Sequence, residues 1–216
     1  MSALLLALLV APTVSTPLDA ERAFAADAQR LGQWTAFRKW ADPDAVMFNP
    51  QAVWARDFLK GRKDPPKSVN WWPASSIMSC DGRSAVNRGQ WSDPASATNG
   101  VFTTVWQVDK ANWRWVYDAA EPQATRVTAG RIARRADIRR ASCRGRPAGA
   151  PAAPPPALSK RQASSSLTDN GRGQSADGTL GWDWKVQPDG ARTFRAYLWN
   201  GRRYDIVIDQ KVPPQK

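Results

Sequence analysis

The sequence predicts an α+β fold in which a curved antiparallel sheet wraps around a long N-terminal helix. Two observations carry this prediction. Apolar residues recur at spacings of three and four in an N-terminal stretch, and further along the chain the period changes to two in segments divided by turn residues. One helical region followed by successive hairpins is typical of α+β proteins, since parallel α/β folds alternate their helices and strands.

The N-terminal helix is predicted to begin after Thr16, a hydroxyl cap that Pro17 follows in the first turn. The predicted helix runs to about residue 41, and its apolar face consists of Phe24, Ala28, Leu31, Trp34 and Phe37. Asp42-Pro43 is expected to end it. A second helix is predicted over 51–59, and the proline-rich stretch after it is predicted to be a loop that carries Trp71 and Trp72.

Hairpins are predicted where alternating segments flank short turns. Segments 75–80 and 84–91 flank Asp81-Gly82, and segments 100–108 and 112–118 flank the turn at 109–111. In the last of these strands the period of two predicts one shared face for Trp113, Trp115 and Tyr117. Near the C-terminus, segments 179–187, 192–199 and 203–208 predict a three-stranded β-meander that packs on the main domain or extends its sheet.

Composition divides the chain into four regions. Residues 1–16 contain a nine-residue apolar run, which fits a signal peptide and is too short to span a bilayer. Residues 17–122 form the main domain, 123–165 an Arg/Pro/Ala-rich linker, and 166–216 the C-terminal meander. Ten basic residues and one acidic residue lie within 123–161. We therefore expect an exported protein, periplasmic or secreted; a buried first helix is the alternative for the apolar run.

The two cysteines, Cys80 and Cys143, bear on the same question. In an oxidising compartment we expect them to form a disulfide that pins the start of the linker to the main domain, whereas a cytosolic protein would keep both thiols free. The chain contains no His, which excludes His acid/base catalysis, Ser-His-Asp and Cys-His pairs, and metal sites that need imidazole. We expect no cofactor and no metal. The 12 Trp residues indicate an aromatic core or an aromatic-lined cavity.

Three stretches, 21–32, 41–50, and 100–106 with 113–118, resemble the nuclear transport factor 2-like superfamily, and more narrowly its exported, uncharacterised bacterial members. This cone-shaped fold also occurs in ketosteroid isomerase and the SnoaL-like polyketide cyclases. In ketosteroid-isomerase-like members a catalytic Asp directly precedes the Pro of the second stretch, and this chain has Asn49 there. An amide cannot act as that base, so the resemblance implies the cone without its inherited chemistry. It does not specify a function, because one fold serves many.

Three functional hypotheses follow. The first is a non-catalytic exported protein whose cone binds a small apolar or amphiphilic ligand, with the candidate lining Trp34, Trp71, Trp106, Trp113 and Trp115; the alternative for these rings is plain core. The second is an enzyme of lyase or isomerase type with rebuilt carboxylate chemistry, with Asp118 or Asp44 as the base and Tyr117 or an indole as the donor. For Asp118 the simpler interpretation is a strand-end residue bonded locally.

The third hypothesis concerns the basic linker. Its arginines could bind an anionic envelope surface, the candidates being Arg134, Arg135, Arg139 and Arg140. Nucleic acid is not expected as a partner of an exported protein, and a solvated charged linker is the simpler interpretation. Cone-fold relatives commonly pair through the open face of the sheet, so a homodimer is one expectation. The C-terminal meander would instead keep the chain monomeric if it covers that face.

Overall fold

The computed structural model describes residues 14–49, 51–123, 136–145 and 170–214. Nearly all of the proposed signal peptide and most of the proposed linker, including Arg134 and Arg135, lie outside the described residues. No helix within these ranges is long and apolar enough to cross a membrane.

Three helices lie on one side of the fold: α1 (Pro17–Leu31), α2 (Gln33–Trp40) and α3 (Ala55–Leu59). Thr16 caps α1, because its hydroxyl accepts a hydrogen bond from the Asp19 amide at 3.1 Å. The prediction of a single long helix that runs to about residue 41 is wrong. Gly32, with φ +104°, separates α1 from α2. Asp64 stabilises the N-terminal end of α2, because its carboxylate accepts hydrogen bonds from the Thr35 amide and hydroxyl.

A large curved sheet contains seven strands: β1 (Ala41–Asn49), β2 (Gln51–Trp54), β3 (Asn70–Met78), β4 (Ser84–Ser92), β5 (Asn99–Asp109), β6 (Asn112–Pro122) and β7 (Asp137–Arg140). Their order is β2-β1-β6-β5-β4-β3-β7. Neighbours are antiparallel except for the β1–β6 and β3–β7 pairs. The two hairpins expected from the alternating pattern, β3–β4 and β5–β6, are present.

Three segments differ from the expectations drawn from the sequence. The helix expected over 51–59 is a strand followed by the short α3, because 51–54 pairs with β1. Trp71 and Trp72 lie in β3 and not in a loop; the strand tolerates Pro73 because a register shift follows it and β7 pairs only from Ser75. Within the proposed linker, Asp137–Arg140 forms β7, which pairs with Ser75–Met78.

A bulge in β6 changes which side chains share a face. Trp115 is paired with Trp106 and Tyr117 with Val105, so the bulge leaves Val116 without a paired residue. Trp115 therefore packs with the helices, whereas Tyr117 packs on the opposite side of the sheet. The expectation that Trp113, Trp115 and Tyr117 share one face is wrong because the period of two breaks here.

The C-terminal region forms a second sheet of four strands, one more than expected: β8 (Asn170–Gln174), β9 (Leu180–Val186), β10 (Arg192–Trp199) and β11 (Tyr204–Val212), in the order β11-β10-β9-β8. The additional strand β8 pairs with β9. Gly171 and Gly173 of β8 lie so close to the rings of Trp184 and Trp182 that an added Cβ would come within 2.6 and 2.4 Å of them, respectively. Only glycine fits at these two positions, because the rings occupy the space that a side chain would need.

The molecule thus has three layers. The helices cover one face of the seven-stranded sheet, and the four-stranded sheet packs on its other face through a shared apolar core that includes Val105, Tyr117, Leu180 and Phe194. This second interface also buries an ion pair, in which the Arg192 guanidinium lies 3.2 Å from the Glu121 carboxylate. The meander therefore packs on the sheet and does not extend it.

The structure contains the Cys80–Cys143 disulfide that the sequence predicts. The bridge lies where the two sheets meet: the Cys80 amide donates to the Thr179 hydroxyl at 2.8 Å, and the Ser142 amide donates to the Trp199 carbonyl at 2.8 Å. It therefore holds the segment after β7 against both sheets.

Candidate ligand-binding cavity

A cavity of about 320 Å³ lies between the helical layer and the concave face of the seven-stranded sheet. Aromatic side chains form most of its wall. The helices contribute Phe24, Trp34, Phe37 and Phe58, and the strands contribute Phe48, Trp71, Trp91 and Phe102. Such an apolar, concave surface with a few polar groups is typical of a small-molecule site.

The polar groups of the cavity come from β1, β6, α2 and the loop between β4 and β5. Asn49 ends β1, Asp118 lies in β6, and Gln33, Asp93 and Thr98 complete the set. Asp93 is fixed by its own loop, since its carboxylate accepts hydrogen bonds from the Ser96 hydroxyl at 2.7 Å and the Ala95 amide at 2.8 Å. These bonds, that of Ser96 foremost, lower the pKa of Asp93, so it is a carboxylate at neutral pH.

Asp118 is enclosed by the fold and yet faces the cavity. Its Oδ2 accepts a hydrogen bond from the Thr104 hydroxyl at 2.9 Å. Burial raises the pKa of Asp118 to about 7, because the ionised carboxylate loses its hydration inside the protein. The group can therefore exist in both protonation states near neutral pH, which is the property required of an acid, a base or a counter-ion.

Glu21 is a second buried carboxyl group, which sequence reasoning missed. It is fully buried in α1, four residues after the start of the helix at Pro17, and accepts hydrogen bonds from Trp71 Nε1 (3.0 Å), Trp106 Nε1 (2.6 Å) and Asn87 Nδ2 (3.2 Å). Burial raises the pKa of Glu21 to about 7, and the charge of Asp118 adds to this rise. A signal was present in the sequence, since Glu21 precedes Phe24 and Ala28 by three and seven residues and so shares their apolar face.

The walls of the cavity are held in place by contacts outside it. The hydrogen bond to Glu21 fixes the indole of Trp71, and Phe24 packs edge-on against Trp71 and Phe37 with centroid distances of 4.8 Å in each case. Trp91 Nε1 donates to the Val101 carbonyl at 3.0 Å. Rings fixed in this way lose little side-chain freedom when a ligand binds.

The structure places the sequence-predicted lining residues in two groups. Trp34 and Trp71 line the cavity. Trp106, Trp113 and Trp115 do not line it; they are buried in the core between the sheet and the helices. These three rings fill the space between the sheet and the helices. A position on the inward face of a strand therefore does not tell a residue of the cavity wall from a residue of the core.

The candidate catalytic residues are also separated. Tyr117 faces the four-stranded sheet, where its ring packs against Phe194 at a centroid distance of 4.7 Å, so it cannot donate to a group beside Asp118. Asp44 lies in β1 but does not line the cavity. The indoles of Trp71 and Trp106 donate to Glu21 and are not available to a ligand. Asp118 and Asn49 are brought together on the cavity wall.

The described ranges contain no group of three or more acidic or Cys side chains that could hold a metal ion. Of the candidate arginines for an anionic surface, Arg139 and Arg140 lie exposed on the edge strand β7. Three strands separate β7 from β6, and four separate it from β1, in the order of the sheet. Both arginines are therefore distant from Asn49 and Asp118 of the cavity.

Solved structures similar to this chain include nuclear transport factor 2-like proteins, the superfamily that the sequence resembles. One, of unknown function from Shewanella oneidensis, is 16% identical with a TM-score of 0.40, covering 49% of this chain and 98% of its own. Another, from Cytophaga hutchinsonii, is 12% identical with a TM-score of 0.37, covering 49% and 94%. The hub homology domain of CamKII from Chlamydomonas reinhardtii is 19% identical with a TM-score of 0.39, covering 52% and 99%. No protein-family model and no curated protein matches the sequence.

Proposed function

We propose that this protein is an exported binding protein whose cavity holds a small ligand with an apolar body and a polar group. The observation that carries the proposal is the aromatic cavity with Asp118 and Asn49 on one wall. Its volume of about 320 Å³ is at the lower end of the range of small-molecule sites, which favours a compact ligand over a lipid or a steroid.

Binding in this cavity is favoured by the removal of ligand and ring surface from water, which contributes about 25 cal/mol per Å² of apolar area. The cost of ordering the wall is small because Trp71 and Phe24 are already fixed. Asp118 and Asn49 then supply an acceptor and an amide that orient the polar end of the ligand. This arrangement supports ligand binding and does not require a catalytic pair of residues.

Export is part of the proposal. It is supported by the Cys80–Cys143 disulfide, because such bridges form and persist in oxidising compartments. The nine-residue apolar run near the N-terminus, typical of a signal peptide, points the same way.

The binding proposal is tested with a variant that fills the cavity. Ala120 lines the cavity and its side chain is exposed, so Ala120→Leu adds bulk to open space without disturbing the core. We expect small aromatic compounds to raise the melting temperature of the natural protein and shift its Trp fluorescence, and we expect Ala120→Leu to weaken binding at least about tenfold. Ala176→Leu, in an exposed turn of the four-stranded sheet, is the matched control and keeps binding. If a broad panel leaves fluorescence and melting temperature of the natural protein unchanged, the proposal is wrong.

A second candidate function, acid/base catalysis by Asp118, is favoured by one specific observation. The pKa of Asp118 is raised by burial to about 7, which suits a group that gives and takes protons near neutral pH. Turnover of a bound compound, measured by mass spectrometry and lost in Asp118→Asn while binding persists, would distinguish catalysis from binding alone. A bound compound recovered unchanged supports the first function.

A further inference from the structure

The charged side chains that line the cavity are opposite in sign to the net charge of the whole chain. The sequence contains 31 Lys and Arg residues against 19 Asp and Glu. Among the described residues that line the cavity, two are Asp and none is Lys or Arg. A cavity built in this way would repel an anionic ligand and would leave its carboxylates without a counter-ion inside the site.

We propose that the cavity selects ligands whose apolar body carries a positive charge, that is, small amines or quaternary ammonium compounds, over neutral or anionic ligands of the same shape. This inference rests on the proposed function, because it names the chemical class of the ligand that the cavity binds. Asp118 is the counter-ion of the ligand, and the aromatic rings surround its cationic head.

Asp118 has acceptor capacity that the described residues do not use. A carboxylate can accept about four hydrogen bonds, and the described part of the chain supplies one side-chain donor to it, the Thr104 hydroxyl at Oδ2. No donor from that part of the chain reaches Oδ1, although the residue lines the cavity. Glu21, by contrast, has three donors on its two oxygens. The free side of Asp118 therefore faces the space where a ligand would lie.

The aromatic walls suit a cation, because the face of each ring carries partial negative charge. Side chains of the protein already use this property outside the cavity. The Arg62 guanidinium, which is not a lining group, lies 3.9 Å from the ring centroid of Phe58 and 5.5 Å from that of Trp34. Across the sheet, the Arg192 guanidinium lies 4.4 Å from the ring centroid of Phe48. A cationic head inside the cavity would meet other lining rings, among them Phe24, Phe37 and Phe102.

The charged groups around Asp118 leave a net negative environment when it is ionised. From the four-stranded sheet, the charge of Arg192 lowers the pKa of Asp118, but Glu121, which is paired with Arg192 at 3.2 Å, raises it by more. From α1, Glu21 faces the same region, and the charges of Glu21 and Asp118 repel each other. Asp93 remains ionised among the lining residues. A bound cation relieves this repulsion, whereas a neutral molecule does not.

The test compares two compounds of the same shape, phenyltrimethylammonium and its uncharged carbon isostere tert-butylbenzene. We expect phenyltrimethylammonium to bind the full-length protein at least about tenfold more tightly at pH 8, measured by calorimetry and by the rise in melting temperature. The quaternary ammonium group does not titrate, so a loss of affinity between pH 8 and pH 5.5 would report protonation of the protein. We expect that loss, because Asp118 takes up a proton over this interval.

Two variants assign the effect. Asp118→Asn keeps the shape of the side chain and should bring the affinities of the two compounds to within about threefold of each other. Asp109→Asn, at an exposed carboxyl group at the end of β5, should keep the full preference. Equal binding of both compounds by the natural protein would overturn the inference and leave the cavity proposal intact. If neither compound binds and the wider panel also fails, both proposals are wrong.

Discussion

At the scale of one residue, Glu21 shows how the fold accommodates a buried glutamate. The chain contains two glutamates, Glu21 and Glu121, and both are buried. Glu121 is compensated by Arg192, whereas Glu21 is held by two indole N–H groups and one amide. Hydrogen bonds from neutral donors stabilise a carboxylate less than a full opposite charge does, so the ionised form of Glu21 stays costly.

We expect this cost to appear as a pH dependence of stability. The folded-state pKa of Glu21 is raised from 4.5 to about 7, so its contribution is fully present below pH 4.5 and is lost as the pH rises through 7. The free energy of unfolding should therefore fall between pH 5 and pH 7, by up to about 1.4 kcal/mol per pH unit for each such group. Asp118, whose pKa is likewise raised to about 7, adds a second contribution in the same direction.

Glu21→Gln removes one of these groups, and urea unfolding at a series of pH values should show a shallower fall in the free energy of unfolding between pH 5 and pH 7. Asp109→Asn changes an exposed carboxyl group and should leave the slope unchanged. An unaltered slope in Glu21→Gln would contradict the assignment of a raised pKa to Glu21.

At the scale of the residue, the sequence predicts some of the cavity and misses the rest for physical reasons. Asn49 is found from the resemblance, and it lies on the cavity wall with Asp118. The expectation that Asp118 is a strand-end residue bonded locally is wrong, because β6 continues to Pro122 and the carboxylate accepts from Thr104 on the neighbouring strand. Glu21 is missed because an acidic residue near the N-terminal end of a helix is common, although its side chain here lies in the core. The phenylalanines of the wall carry no signal that distinguishes them from core.

At the scale of the element, strands with clean alternation are predictable, and strands formed by distant partners are not. The β5–β6 hairpin follows from local sequence. The strand β7 lies in an Arg-rich segment and forms because it pairs with Ser75–Met78 and is held by the bridge at Cys143. The bulge at Val116 cannot be predicted from the sequence either, because an alternating pattern does not indicate where the alternation breaks.

The strand β8 makes a prediction about glycine. In Gly173→Ala the new Cβ would lie 2.4 Å from the Trp182 ring, so the ring must move and we expect a loss of about 1–3 kcal/mol in the free energy of unfolding. Gly181 is the matched control in the neighbouring strand, since an added Cβ there meets nothing closer than 3.8 Å. Gly181→Ala should be neutral or slightly stabilising. Denaturant unfolding of both variants checks this, and equal losses would show that the ring contact is not the cause.

At the scale of the whole molecule, the four-stranded sheet covers the face of the seven-stranded sheet that lies opposite the helices, which is the face on which the resemblance drawn from the sequence implies pairing. Its core residues Leu180 and Phe194 pack against Val105 and Tyr117 of the seven-stranded sheet. The covered face also contains the Glu121–Arg192 ion pair and the bond from Gln210 to Glu121. The homodimer expected from the resemblance would need another surface.

We therefore expect the protein to be monomeric. Light scattering coupled to size-exclusion chromatography should give the mass of one chain, at most 23.8 kDa, over a wide range of concentrations. A mass of two chains that persists on dilution would show that another surface, such as the edge strand β7 or β11, joins two copies.

The Cys80–Cys143 disulfide has a mechanical consequence. Under a force that pulls the two ends of the chain apart, tension passes across the bridge and bypasses the residues between the two cysteines. With a sequence separation of 63, the bridge withholds about 200 Å of extensible length, since an extended residue spans roughly 3.3–3.6 Å. Strands β4, β5, β6 and β7 lie within this closed ring. Stretching therefore loads the helices, the strands β1, β2 and β3, and the four-stranded sheet, while the ring that carries Asp118 bears no end-to-end load until the bridge is reduced.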